Sequence, residues 1–128
     1  SALQQLLGEM TVHQQVIERI RQLRAEGYRT ALITNNVREA SATWRALIPL
    51  DELFDVVVDS CEVGMRKPNP AIYQHTLDLL GRTPEEAVFL DDSPGNVAGA
   101  KVAGLAGIHV ADPDEALVEL DRLLGRAP

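Results

Sequence analysis

One cysteine, one tryptophan, two tyrosines and two phenylalanines are all that 128 residues contain of those types. The lone thiol, Cys61, has no partner for an intramolecular disulfide, which points to a reducing, cytoplasmic setting. No apolar run approaches the length of a membrane span, and no secretory leader pattern is visible. Basic residues never cluster beyond Met65-Arg66-Lys67, and the formal charge is -7. A nucleic-acid partner is thereby excluded, since binding a phosphate backbone needs a basic surface. The three histidines, His13, His75 and His109, are scattered without metal-ligand spacing and read as surface or helix-face residues. Aspartate is missing from the first fifty positions; Asp51 is the first. Ser1-Ala2 replaces a starting methionine, as in a tag remnant or processed chain.

Apolar residues are plentiful at 45%, enough for the core of a single domain. Val12, Val16, Ile20 and Leu23 fall at helical spacing over Thr11 to Ala25, with Gly27 as a stop. Thr30 to Thr34 is a short apolar run of strand length. Asn35-Asn36 opens a helix from Val37 to Leu47, ended by Pro49. Val56-Val57-Val58, between Asp55 and Asp59, is a second strand. Asn69-Pro70 is a cap followed by proline at the first helical position, predicting a helix to Leu80 that Gly81 ends. Thr83-Pro84-Glu85-Glu86 repeats that pattern as one turn. Ala87 to Asp91 is a third strand, Asn96 to Ala103 a helix, and Ala106 to Val110 a fourth strand. Asp112-Pro113 begins a last helix with Leu117, Leu120 and Leu124 in a stripe before Gly125. Strands rich in valine, leucine and isoleucine without polar alternation are buried on both faces. The alternation of helix and strand therefore predicts an α/β, three-layer sandwich around a mostly parallel, Rossmann-like sheet. Ser1 to Met10 reads as a separate small amphipathic piece.

The chemistry gathers where strands end. Val88-Phe89-Leu90 runs into two adjacent carboxylates, Asp91 and Asp92, before Ser93. At the C-terminal end of a strand both can reach the crevice where open α/β sheets bind ligands. Two such carboxylates repel unless a cation offsets them, and a hard divalent ion such as Mg2+ suits their oxygens. A plain turn with a helix cap is the alternative use of Asp-Asp-Ser. Thr34 with Asn35 closes the first strand, and Lys67 follows the second. A parallel sheet brings all three positions to one edge. A hydroxyl, a cation and a carboxylate pair around one pocket describe a phosphoryl site. There Thr34 and the Asn35 amide hold phosphate oxygens and Lys67 offsets charge. Taken singly, Thr34 suits any strand, Asn35 any cap, and Lys67-Pro68 any helix start.

Leu-Ile-Thr-Asn-Asn (32–36), Gly-Met-Arg-Lys-Pro (64–68) and Val-Phe-Leu-Asp-Asp-Ser (88–93), in that order, resemble motifs two, three and four of the haloacid dehalogenase (HAD) superfamily. The run from Ser60 to Pro68 is similar to the N-terminal phosphatase domain of soluble epoxide hydrolases. The likeness extends from about residue 11 to residue 124. It implies that Thr34, Asn35 and Lys67 bind phosphate, with Thr34 and Lys67 serving catalysis. It also implies Asp92 as the direct Mg2+ ligand, and Asp91 as a water-mediated ligand or the residue orienting Lys67. The acidic pair favours phosphatase over metal-independent dehalogenase within the superfamily, because Mg2+ shields an incoming anion. The substrate class implied is a small phosphate monoester.

The family's first motif, Asp-x-Asp-x-Thr, is absent from this sequence. No Asp-x-Asp lies before Thr34, and the one in the chain, Asp112-Pro113-Asp114, follows the last strand. That motif supplies the nucleophile, which becomes an aspartyl-phosphate, and a general acid/base. No nucleophile is therefore assigned, and the chain alone is expected to be inactive. The resemblance also implies that a central strand between those ending at Thr34 and Asp91 is lacking, along with most of a cap. Residues 1–10 are then a remnant of the cap and residues 11–128 the core. The gap would leave two interior strand edges unpaired, each buried polar group costing roughly 1–3 kcal/mol. Closure of the gap, a strand donated by another chain or a homodimer, or a longer parent protein each answers it; a truncated phosphatase is the favoured reading. The non-enzymatic alternative is a binding or regulatory domain that kept the sheet and lost catalysis. A receiver domain fits poorly, because the order here is Thr34, Lys67, Asp91-Asp92. Trp44 and Arg45, after Thr34, read as packing or surface residues.

Overall fold

Along Thr30–Thr34 every residue is buried. Leu32 joins one hydrophobic cluster, whereas Ala31 and Ile33 join another. Successive strand side chains point to opposite faces, so a strand buried on both must lie between two covering layers. The computed structural model, which describes residues 4–7, 13–35 and 50–126, shows that arrangement.

Strands β1 (Gln4–Leu7), β2 (Thr30–Thr34), β3 (Val56–Asp59), β4 (Ala87–Asp91) and β5 (Ala106–His109) form one sheet in the order β3-β2-β1-β4-β5. Every pairing is parallel. One face is covered by α1 (Gln14–Ala25) and α6 (Pro113–Leu124). Val16, Ile20 and Leu23 meet Leu117 and Leu120 there, over Leu32, Val88 and Leu90. Two single-turn helices lie to either side of β3, α2 (Leu50–Leu53) before it and α3 (Ser60–Val63) after it. The other face is covered by α4 (Pro70–Leu80) and α5 (Pro94–Val102). Ile72, Tyr73, Leu77 and Leu80 pack with Ala100 on Ala31, Ile33, Val58 and Phe89. Each fully buried aliphatic side chain contributes about 1.5–3 kcal/mol by leaving water.

Local chemistry sets the helix ends. Asn69 accepts a hydrogen bond from the Ala71 amide at 3.0 Å, Pro70 fills the first position, and Gly81 closes α4 with φ 68°. The start of α5 corrects the reading of a helix from Asn96. Ser93 caps it and Pro94 is its first residue, because a proline pre-set for helix at that position loses no hydrogen bond. The expected helix Val37–Leu47, with Trp44 and Arg45, lies outside the described residues, as does Thr11-Val12, where the first helix is expected to begin.

The centre of the sheet corrects a larger expectation. The place between β2 and β4, predicted to lack a strand and to leave interior edges unpaired, is filled by β1. Its register is Gln5 with Thr30 and Val88, Leu6 with Ala31 and Phe89, and Leu7 with Leu32 and Leu90. Backbone N–H and C=O groups inside a sheet must be paired, and four residues of this chain pair them. Part of the segment read as a separate N-terminal piece thus belongs to the core sheet. Pairing at this position does not require a strand from another chain. The strand ends at Leu7 without an Asp-x-Asp.

Candidate functional site

Four strands finish in polar residues at one edge. In register, Thr34 of β2 stands beside Asp59 of β3, and Asp91 of β4 beside His109 of β5. Helices follow the strands, so this C-terminal edge is where the topology leaves room for a ligand.

Lys67 arrives from the loop after α3. Its side chain is fully buried, and Nζ donates to Asp91 Oδ2 at 2.8 Å, with the carboxylate 1% exposed. Asp91 has further donors: the Ser93 amide at 2.9 Å to Oδ1 and Asn96 Nδ2 at 3.2 Å to Oδ2. Burial by itself would raise the Asp91 pKa. The Lys67 charge and hydrogen bond, the Ser93 amide and a bond with the Asp92 side chain outweigh it and hold the carboxyl below its ordinary value. Behind the ammonium, the Phe89 ring centroid lies 5.8 Å from Nζ. Tyr73 meets that ring edge-on at 5.1 Å, and its hydroxyl donates to the Asn96 carbonyl at 2.6 Å. Burial, with the Asp91 charge adding to it, raises the tyrosine pKa and keeps the phenol protonated.

Asn35 clamps the lysine backbone. Its Oδ1 accepts from the Lys67 amide at 2.9 Å, and its Nδ2 donates to the Lys67 carbonyl at 3.1 Å. The Lys67–Pro68 bond is cis, within a turn closed by the Asn69 amide on the Arg66 carbonyl. Thr34 is fully buried, yet its Oγ1 has no hydrogen-bond partner, alone among the buried side-chain polar atoms of the described residues. Such an orphan costs about 1–3 kcal/mol unless something fills it.

The five residues singled out from sequence therefore stand differently. Lys67 and Asp91 touch, Asn35 holds the lysine loop, and Thr34 precedes Asn35 at the end of β2. Asp92 is solvent-exposed, and its carbonyl faces His109 Nε2 at 3.1 Å. No group of three His, Cys, Asp or Glu gathers at metal distance among the described residues. The donors present still suit Mg2+ in kind. That ion commonly takes one or two carboxylates and completes its shell with water and phosphate oxygens, and the exposed Asp92 beside Asp91 supplies such oxygens.

Sequence reading passed over Asn96, Tyr73 as a site residue, and Asp59. Asn96 had a usable signal, five residues past Asp91 and three past the capping Ser93. Tyr73 reads as core, which it also is. Asp59 is a fully buried carboxylate that caps α3 by accepting from the Cys61 amide at 3.2 Å. Its position at a strand end was the only hint.

A parallel sheet bearing a buried lysine–aspartate pair and an unpaired threonine hydroxyl at its C-terminal edge defines a class, and comparison gives its family. A sequence profile of haloacid dehalogenase-like hydrolases matches residues 2–104, and the chain belongs to that family. It is 45% identical over 107 residues to acyl-CoA dehydrogenase family member 10 of Mus musculus, covering 83% of this chain and 10% of that protein. It is 34% identical over 125 residues to bifunctional epoxide hydrolase 2 of Rattus norvegicus, covering 94% and 23%. The chain thus spans a quarter or less of the length of these relatives. Among solved structures, an uncharacterized protein from Corynebacterium glutamicum superposes with a TM-score of 0.82 at 28% identity, over 100% of this chain and 98% of that one. A HAD family enzyme from Bacteroides thetaiotaomicron, solved with magnesium and inorganic phosphate, shares the fold at 23% identity and a TM-score of 0.68, over 80% and 57%. Among the described residues, no helix is long and apolar enough to cross a membrane.

Proposed function

We propose that this chain carries the phosphate-holding and charge-balancing half of a Mg2+-dependent phosphatase site, acting on small phosphate monoesters in a longer protein. The observation that carries the reading is the buried Lys67–Asp91 pair, 2.8 Å apart, at the same sheet edge as the orphaned Thr34 hydroxyl. A buried ion pair is a poor source of stability, because desolvation offsets most of its Coulomb energy. An unfilled buried hydroxyl stabilises nothing. Both make sense where a phosphoryl group completes them. Thr34 Oγ1 and the Asn35 amide hold its oxygens, Lys67 balances its charge, and Asp91 keeps the ammonium aimed. Asp92, with Asp91 behind it, would hold Mg2+, which neutralises phosphate charge when bound.

Hydrolysis through an aspartyl-phosphate needs a nucleophilic carboxylate at the same edge, and no Asp-x-Asp precedes Thr34. No residue of this chain is accordingly assigned as nucleophile, since β1 fills the central place and ends without the motif, and the chain alone is an anion binder without turnover. Calorimetry with inorganic phosphate and Mg2+, paired with an assay on p-nitrophenyl phosphate, tests this. The expected result is Mg2+-linked phosphate binding that Lys67→Ala abolishes, with no hydrolysis by the chain. Hydrolysis follows when a parent protein containing Asp-x-Asp is assayed. Phosphate binding that ignores both Mg2+ and Lys67 would refute the reading. A parent that binds phosphate but turns nothing over would favour a binding or regulatory domain.

A further inference from the structure

We propose that Gly99 is a positioning residue: by having no side chain it seats Pro68 against α5, and that seat sets the separation of Lys67 from Asp91. The inference rests on the phosphatase reading only in treating that pair as functional.

Helix α5 springs directly from the end of β4, so it moves with Asp91. Asn96 and Gly99 are three residues apart and share a face of the helix. Asn96 Nδ2 steadies Asp91 Oδ2 at 3.2 Å, and the Asn96 carbonyl is pinned by the Tyr73 hydroxyl at 2.6 Å. One turn further on, the Lys67-Pro68 bend comes down on the helix at Gly99. A Cβ built on Gly99 would stand 2.7 Å from Pro68 Cβ and closer still to the Pro68 carbonyl oxygen. Real Cβ atoms essentially never come within 3.0 Å of such neighbours, and a carbonyl is backbone that cannot rotate aside. The carboxylate and the ammonium are thus referenced to the same short helix, one through Asn96 and the other through the residue after Lys67. A methyl group at position 99 must push the bend away, and Lys67 leaves with it. The contact is specific within the helix: at Gly95 the same addition meets only Ser93 Oγ, at 3.9 Å.

The chain offers a clean probe, because Lys67 and Lys101 are its only lysines. Lys67 is fully buried and Lys101 exposed. Acetylation by acetic anhydride, followed by peptide mass spectrometry well below Tm, reads the Lys67 rate with Lys101 as internal reference. In the unaltered chain Lys67 reacts far more slowly than Lys101. Gly99→Ala raises the relative Lys67 rate by about tenfold or more through local opening. Gly95→Ala, the same substitution in the first turn of the helix, leaves it unchanged. Leu117→Ala, which weakens the opposite face of the sheet, lowers Tm without raising the Lys67 rate, and so separates positioning from general destabilisation. If Gly99→Ala does not fold in plain buffer, the rates are read in a stabilising osmolyte, where compact states are favoured; loss of folding in Gly99→Ala but not in Gly95→Ala supports the proposal. An unchanged Lys67 rate in a folded Gly99→Ala chain overturns it. So does an equal acceleration in Gly95→Ala. These readouts need no turnover, so a failed phosphatase assay leaves them standing.

Discussion

Two sets of opposite charges in this molecule use the same chemical groups to different ends. On the α1–α6 side, Arg126 reaches Glu26 and Asp121 at 2.6 Å each, and Arg19 reaches Asp121 at 2.6 Å. These side chains are 18–45% exposed, and they tie the end of α6 to α1. At the sheet edge, Lys67 and Asp91 stand 2.8 Å apart with 0% and 1% exposure. The outer network is only partly buried and keeps more of its hydration, so it costs less to form than the inner pair. The inner pair gives up hydration that its mutual attraction recovers only with the help of Ser93, Asn96 and the aromatic floor. A fold seeking stability would place leucine there. Charge retained where an apolar pair would be more stable is what the proposed phosphate-binding role of the sheet edge would explain.

That contrast is broken most severely by removing one inner partner. Lys67→Met strands the Asp91 carboxylate in the interior, and the expected loss is about 3–5 kcal/mol in urea unfolding. Lys67→Met/Asp91→Leu removes both charges and is expected to recover most of it. A double variant as unstable as the single would show that packing, rather than an unpaired charge, governs the site. The pH dependence has a definite sign. Asp91 has a depressed pKa when folded, so its contribution is full above the unfolded carboxylate value and is lost as pH falls through the lower folded value. Stability measured from about pH 7 to about pH 3 should fall more steeply in the unaltered chain than in the double variant.

A smaller effect follows from loosening the clamp. Asn35→Ala leaves the Lys67 amide without its 2.9 Å partner and is expected to cost about 1–3 kcal/mol. The role of this side chain was invisible in the sequence. Asn35 reads locally as a cap, whereas its partners lie 32 residues away and are fixed only when the sheet assembles. The same logic separates what could be read from what could not. Thr30–Thr34 and Ala87–Asp91 announce themselves as apolar runs, and Asn69-Pro70 as a helix start, because those signals are local. Gln4–Leu7 does not, since two glutamines and two leucines become a strand only through the slot between β2 and β4. The convergence of Lys67 on Asp91 was legible through topology. Gly99 was not, for no local rule says which helix face a distant proline will meet.

Outside, Arg126→Ala should cost about 1 kcal/mol or less, although it severs two ion pairs, because both are partly solvated. Its effect should shrink as ionic strength rises, while that of Lys67→Met should not. Equal salt sensitivity at the two sites would erase the distinction between them.

The finest test lies in a hydroxyl. Thr34→Val keeps the branched shape inside β2 and deletes only the orphaned Oγ1. If that oxygen had a structural duty, the change would destabilise, as losing a buried hydrogen bond does. With no partner to lose, the substitution should leave stability unchanged or raise it by up to about 1 kcal/mol, by removing an unsatisfied polar group. Phosphate affinity should fall in the same variant. Opposite movement of stability and binding is the signature of an atom held ready for a ligand. Parallel loss of both would return Thr34 to the ordinary interior of the strand.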